Sequence, residues 1–309
     1  MPPPAPVNHR ELRARYRASV TNMLTQLRTF SQWTFKVDDL AALGVDVCEF
    51  DPYDLRDCTP IFEPLSEQEL DDYDLDEDLV LNEEILEKLN LQDWAPSTSN
   101  EISRREEEME AMRAGGRIFE YLEARYSCWS MIYQPKTPLS MVRNWTDVAI
   151  PHPEYTWPRS LGINSWPRDH GLLSRPRTRD HVGWRCEMVG EWKDRPRRGD
   201  PTTRPHVRLI IVHGTIGSSN GILLGELGAL AQVIYNRLCQ PSFDHESFFP
   251  VLLISLFGPR HGRILQGVYR RNGKLDLRVS RVYSFVKVKE APLDLFLRYL
   301  ASTPRRDDC

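Results

Sequence analysis

The sequence lacks any Cys-x-x-Cys pair: its six cysteines stand apart at positions 48, 58, 128, 186, 239 and 309. That spacing argues against a zinc ribbon, and in a chain of 309 residues it reads as reduced thiols, not a disulfide framework. Long hydrophobic runs are missing too. The longest, residues 209–212 and 251–257, are strand-sized, far short of the roughly 20 apolar residues of a membrane helix. No apolar core follows Met1-Pro2-Pro3-Pro4-Ala5-Pro6, so a secretory signal is not expected. These absences predict an intracellular protein, nuclear or cytoplasmic, with no membrane partner.

What is present is a globular composition with charge divided unevenly. Hydrophobic residues at 40% and aromatics at 10% suffice for a sizeable core, while 23 prolines predict long irregular segments. Residues 1–150 carry 15 Lys and Arg against 29 Asp and Glu, a balance of −14. Residues 151–309 carry 25 against 15, a balance of +10, and the halves sum to the net −4. A basic half suits a polyanionic partner such as nucleic acid, through phosphate neutralisation. The competing explanation is internal, with the acidic half packed on the basic one.

After a proline-rich tail, residues 9–33 read as an amphipathic helix, with Leu12, Tyr16, Val20, Leu24 and Leu27 at three- and four-residue steps. Arg10, Arg13, Arg15 and Arg17 crowd its first turns against the helix dipole, which predicts a partner for them. A short helix over 37–43 stops at Gly44. Residues 45–95 are acidic. Asp72, Asp74, Asp76 and Asp78 echo a calcium loop, but Glu77 stands where such a loop needs glycine. Helices over 82–91 and 101–126 follow, the second interrupted by Gly115-Gly116. Residues 127–183 are rich in Trp and Pro, with a strand over 141–150.

Next come a strand over 184–193, a loop over 194–205 and a buried strand over 207–213. A helix over 222–239 carries Leu223, Leu227, Leu230, Ile234 and Leu238 on one face. A buried strand over 248–257, a hairpin at Asn272-Gly273 and a last helix opened by Pro292 complete the chain. The expected architecture is α+β: a helical, acidic segment over 1–100, then a domain over 101–309 with a central mixed β-sheet flanked by helices.

The sharpest chemistry lies in the strand over 184–193. Alternation puts Glu191 and Lys193 on one face with Glu187 and Val189, and Cys186, Met188 and Trp192 on the other. A carboxylate beside an amine suits a divalent metal and a polarised water. Asp180-His181 precedes them, with Asp180 eleven residues before Glu191. The elements around these residues run helix, strands, helix, strand.

In these residues the chain resembles the PD-(D/E)XK nuclease superfamily, over roughly residues 101–257. The resemblance implies a restriction-endonuclease-like sheet and Mg²⁺-dependent phosphodiester hydrolysis. Asp180 and Glu191 would hold the metal, and Lys193 would orient or help deprotonate the attacking water. Gln232, on the following helix, would contact substrate. The chain departs from the superfamily pattern in two ways: Thr178-Arg179, not proline, precedes Asp180, and the strand over 207–213 intervenes before the helix. Such a chain also fits a catalytically degenerate relative that binds nucleic acid without cutting it.

Arg260, His261 and Arg263 sit at a glycine-bounded turn and are candidate phosphate contacts, or a plain turn with solvated arginines. The run from Phe248 to Gln266, continuing to Leu295-Phe296-Leu297-Arg298-Tyr299 and covering about the last 60 residues, resembles uncharacterised proteins of filamentous fungi. That resemblance implies a fungal intracellular protein and no particular activity. Two other functions compete with the nuclease. One is a non-enzymatic interaction protein whose basic sheet meets an acidic partner. The other is a serine hydrolase: Gly217-x-Ser219-x-Gly221 lies between a strand and a helix, with Asp244 and His261 as triad partners.

Overall fold

The computed structural model describes residues 8–54, 60–73, 82–95, 103–127, 138–148, 171–175, 183–194, 202–216 and 221–305. In the N-terminal half, α1 (His9–Thr29), β1 (Thr34–Phe35), α2 (Val37–Ala42) and β2 (Val45–Glu49) come first. They are followed by β3 (Phe62–Glu63), α3 (Glu67–Asp71), α4 (Glu83–Leu89), the long α5 (Arg104–Ser127), α6 (Leu139–Val142) and β4 (Trp145–Val148). The C-terminal half holds β5 (Trp184–Asp194), β6 (Thr202–Ile216), β7 (Ile222–Leu223), α7 (Leu224–Leu238) and β8 (Val251–Gly258). It ends with β9 (His261–Tyr269), β10 (Leu275–Val279), β11 (Tyr283–Ser284), α8 (Leu293–Leu300) and β12 (Thr303–Pro304).

The main sheet runs β2-β10-β9-β8-β6-β5-β4, with β11 added at the start of β9. β6 pairs parallel with β8 and β10 parallel with β2, while the other neighbours are antiparallel. The fold is thus α+β, with a large mixed sheet and helices on both faces. On one face α1 and α7 pack with Val207, Leu209 and Ile211 of β6 and Val251 and Leu253 of β8. On the other, α5 and α8 pack with Ile210, Val212, Leu252, Ile254 and Leu256. A strand buried on both sides has no solvent-facing row to show, which is why residues 209–212 of β6 and 251–254 of β8 read as unbroken apolar runs.

Within this sheet β4, β5 and β6 form an antiparallel meander, and α7 then carries the chain to β8, parallel beside β6. With α5 in front, and apart from the one-turn α6 and the two-residue β7, the order is helix, three strands, helix, strand. Residues on both sides of position 100 share this framework, since β2 pairs with β10 and α1 packs on α7 in one core. The arginines at the start of α1 find their partner here. Arg13 and Arg17 both donate to the Leu238 carbonyl, at 2.8 and 2.7 Å, and Arg13 also reaches the Phe243 carbonyl. They cap the negative end of α7, whose last carbonyls have no partner within the helix.

Two local features differ from the sequence expectation. β6 begins at Thr202, so Pro205 lies inside a strand. The register shifts there, from Glu191 opposite Val207 to Lys193 opposite Thr203, and a residue without an N–H is tolerated at such an irregularity. A second bulge, between Cys186 and Met188, breaks strict alternation: Cys186 packs on the α7 side and Met188 on the α5 side. In the sheet as a whole, β8 is the middle strand and β5 lies one strand from the edge. The calcium-like series runs into residues 74–81, which lie outside the described residues. Among the described residues no helix is long and apolar enough to cross a membrane.

Candidate functional site

The charged side chains buried against the sheet are concentrated at the two ends of α7. Residues 221–240 contain one acid, Glu226, and one base, Arg237, in an otherwise uncharged helix. Each is fully buried and each has a partner on the sheet. In the last turn, Arg237 Nη1 lies 2.8 Å from Glu191 Oε1, and both side chains are 0% exposed. Burial pushes the Arg237 guanidinium below its ordinary value, and the Glu191 carboxylate pulls it back up. The same guanidinium donates to Gln240 Oε1 at 2.9 Å and lies over the Phe243 ring, 5.0 Å from its centroid. Glu191 is thus held by a helix-borne cation.

At the first turn of α7, Arg263 of β9 donates from Nε to Glu226 Oε1 at 2.8 Å and from Nη2 to Oε2. Arg263 also reaches the Gly221 carbonyl at 2.7 Å, and Glu226 accepts from the Leu223 amide at 2.7 Å. His213 of β6, 1% exposed, completes the cluster. Burial pushes its imidazole down to about 4, with Arg263 adding to the effect and Glu226 opposing it. Burial works to raise the Glu226 carboxyl, but Arg263, His213 and the Leu223 amide together hold it below its ordinary value. At neutral pH this is therefore an ion pair beside a neutral imidazole, sealed from water.

The remaining candidate residues are spread over the molecule. Gln232, 1% exposed on α7, accepts from the Leu172 amide at 3.1 Å and donates to Asn236 Oδ1 at 3.0 Å, fastening residues 171–175 to the helix. Lys193 is half-buried at the end of β5, its amide donating to the Asn144 carbonyl at 2.8 Å. Arg260 takes φ +51° at the tip between β8 and β9, and its guanidinium donates to the Gln92 carbonyl. His261 stacks on Phe257, centroids 6.3 Å apart, and burial holds it below its ordinary value against a hydrogen bond to Pro259. Asp180, His181 and Ser219 lie outside the described residues.

The sheet register shows which of these residues meet. Glu191 is level with Val207, Val251 and Gly267. Arg263 is level with Ser255 and Ile211, four residues farther along β8, or about 13 Å of strand. Glu191 and the Arg260–Arg263 turn therefore belong to opposite ends of the sheet. The hydrolase partners are separated likewise. Asp244 is bound to Arg13 at 3.0 Å beyond the C-terminus of α7, whereas His261 is two residues from Arg263 at the helix start.

Mg²⁺ requires open carboxylate oxygens and room for the waters it retains. Glu191 offers neither, being closed off from solvent and neutralised by Arg237. Among the described residues no group of three or more His, Cys, Asp or Glu is placed to hold a metal ion. The residues present at Glu191 do not fit the metal.

One further buried charge was not among the residues singled out from the sequence. Arg208 of β6, 1% exposed, donates to Tyr126 Oη at 2.7 Å, Asp147 Oδ1 at 2.8 Å and the Leu300 carbonyl. Its guanidinium lies over the Tyr126 and Trp145 rings. Gly190, opposite it on β5, leaves the necessary room, because a Cβ there would sit 2.5 Å from Arg208 Nε. An arginine amid an apolar strand was the signal, together with the glycine facing it. No protein family, curated protein or solved structure matches this chain.

Proposed function

We propose that this chain is a PD-(D/E)XK-like protein that binds nucleic acid and is catalytically degenerate at Glu191. The observation that supports the kinship is the order α5, β4, β5, β6, α7, β8, interrupted by the short α6 and β7 and with β8 parallel to β6, the helix–strands–helix–strand plan implied by the sequence resemblance. The excess of 25 basic over 15 acidic residues in 151–309 favours a phosphate-bearing partner. The buried Glu191–Arg237 pair weighs against a metal-dependent cut there, because a carboxylate that holds an arginine in the core cannot also hold hydrated Mg²⁺.

The experiment is a paired one on the full chain. Supercoiled plasmid is incubated with the protein in Mg²⁺ or Mn²⁺, and binding to labelled oligonucleotides is followed across a salt series. Binding that weakens steeply with salt, with no nicking in either metal, is the expected result. Metal-dependent nicking that disappears in a folded Glu191→Ala protein overturns the degenerate assignment, and absence of binding at low salt overturns the nucleic-acid assignment.

A further inference from the structure

A cleft of about 330 Å³ opens beside β11, at the β9 end that carries the Arg260 turn. Tyr53, Arg281, Tyr283, Ser284, Lys287 and Glu290 are among the residues lining it. Its chemistry is unlike that of the buried clusters on α7. Tyr53 is 50% exposed, an unusual degree of freedom for a large ring, and it meets Tyr283 edge-on with centroids 6.5 Å apart. Tyr283 is 5% exposed and forms part of the wall, packed against Phe296 of α8 at 5.8 Å. The Arg281 guanidinium lies over the Tyr283 ring, 5.0 Å from its centroid. Lys287 pairs with Asp93 at 3.1 Å, with both side chains more than half exposed, and such a pair is worth little and is readily exchanged for another anion. Ser284 is the register partner of His261, and the Phe285 amide donates to the Arg260 carbonyl at 2.8 Å, so cleft and turn form one surface.

An exposed aromatic face beside two cations is the minimal equipment for holding a nucleobase and its phosphate. Bases offer a π-face whatever their identity, and exposed rings bind them by stacking, while arginine and lysine follow the backbone. A duplex conceals those faces within its own stack. We propose that this cleft is a single-strand nucleic-acid subsite, in which Tyr53 stacks on a base and Arg281 and Lys287 contact the adjoining phosphates. The proposal rests on the nucleic-acid reading above and narrows it to unpaired strands.

The test uses the full chain and fluorescein-labelled ten-nucleotide oligo(dT) and oligo(U), with a duplex of the same length, read by fluorescence anisotropy. The wild-type protein is expected to prefer the single strands. Tyr53→Ala should weaken that binding about tenfold, and Tyr53→Phe, which keeps the stacking face, should not. Arg281→Gln should lower the affinity and flatten the dependence of log affinity on log salt by about 0.7. Tyr53 and Arg281 are surface substitutions, and unchanged melting temperatures establish that the variants are folded. Wild-type affinity in Tyr53→Ala overturns the cleft assignment while leaving nucleic-acid binding intact. A tyrosine-phosphorylated peptide that displaces the oligonucleotide at equal concentration also overturns it. If the wild-type protein binds no oligonucleotide at low salt, this proposal and the wider reading fall together.

Discussion

Arg237 in the last turn of α7 and Glu191 on β5 place opposite charges 2.8 Å apart where neither side chain reaches solvent. The acid that sequence spacing offered to a metal is holding a helix to a sheet. Removing one partner of such a pair strands the other charge in the core, which costs about 3–5 kcal/mol. Glu191→Gln should therefore lower the unfolding free energy by roughly that amount in urea titrations. Replacing both, as Glu191→Leu with Arg237→Met, should restore most of the loss. A double variant as unstable as the single one would show that the pair is not coupled.

Acid should loosen the opposite end of α7 first. His213 has a folded-state value near 4, below the roughly 6.5 of a free imidazole. Its contribution is thus fully present above about pH 6.5 and is lost as pH falls toward 4, because the unfolded chain takes up the proton first. The loss is on the order of 3 kcal/mol. Glu226, also depressed, adds its own loss below the ordinary range of a carboxylate. Unfolding free energies measured at pH 7 and pH 5 should differ in the wild-type protein and differ much less in His213→Gln. An equal pH slope in both would rule out His213 as the source.

Arg13 carries a third expectation. It is 6% exposed and donates to the Leu238 and Phe243 carbonyls and, at 3.0 Å, to Asp244. Arg13→Met keeps the aliphatic stem but removes every one of these bonds, leaving the buried Phe243 carbonyl without the guanidinium and the Leu238 carbonyl with Arg17 alone, at a cost on the order of 3 kcal/mol. Arg17→Met, which loses a single hydrogen bond to Leu238, should cost about 1 kcal/mol. Thermal melts of the two variants should separate in that order, and equal shifts would contradict it.

The helix–sheet contact at Gly258 provides a steric test. A Cβ there would lie 2.1 Å from Ala111 Cβ and 2.7 Å from Ala111 Cα on α5. Because backbone is part of the obstacle, rotamer changes cannot relieve it. Gly258→Ala should cost about 1–3 kcal/mol, and adding Ala111→Gly should recover part of it. Full stability in the single variant, by thermal melt, would place α5 farther from the sheet.

Elements with a strong single period were legible in the sequence. The α7 stripe, the end of α2 at Gly44 with φ +75°, and the Asn272-Gly273 turn with φ +82° all appear where the pattern puts them. The faces of β5 were not legible throughout, because one inserted residue between Cys186 and Met188 reverses the alternation, and only the pairing with β6 reveals it. The fate of Glu191 was hidden for a related reason. Whether a carboxylate at a strand end meets solvent or a cation depends on which helix crosses that end, and Arg237 is 46 positions away in sequence. The lone acid Glu226 and lone base Arg237 of an otherwise uncharged helix were visible, yet their partners on different strands were not.

The two buried pairs also give α7 a mechanical role. Its acid sits at the N-terminal end and its base at the C-terminal end, the sense its dipole favours. They grip β9 and β5, which lie on opposite sides of β8 and β6. The helix is therefore a diagonal brace, and sliding β5 along its neighbours would have to pull a charge pair apart in the dry interior. Opening that region piecemeal is accordingly expensive, and backbone amides of α7 should exchange with deuterium only when the whole sheet unfolds.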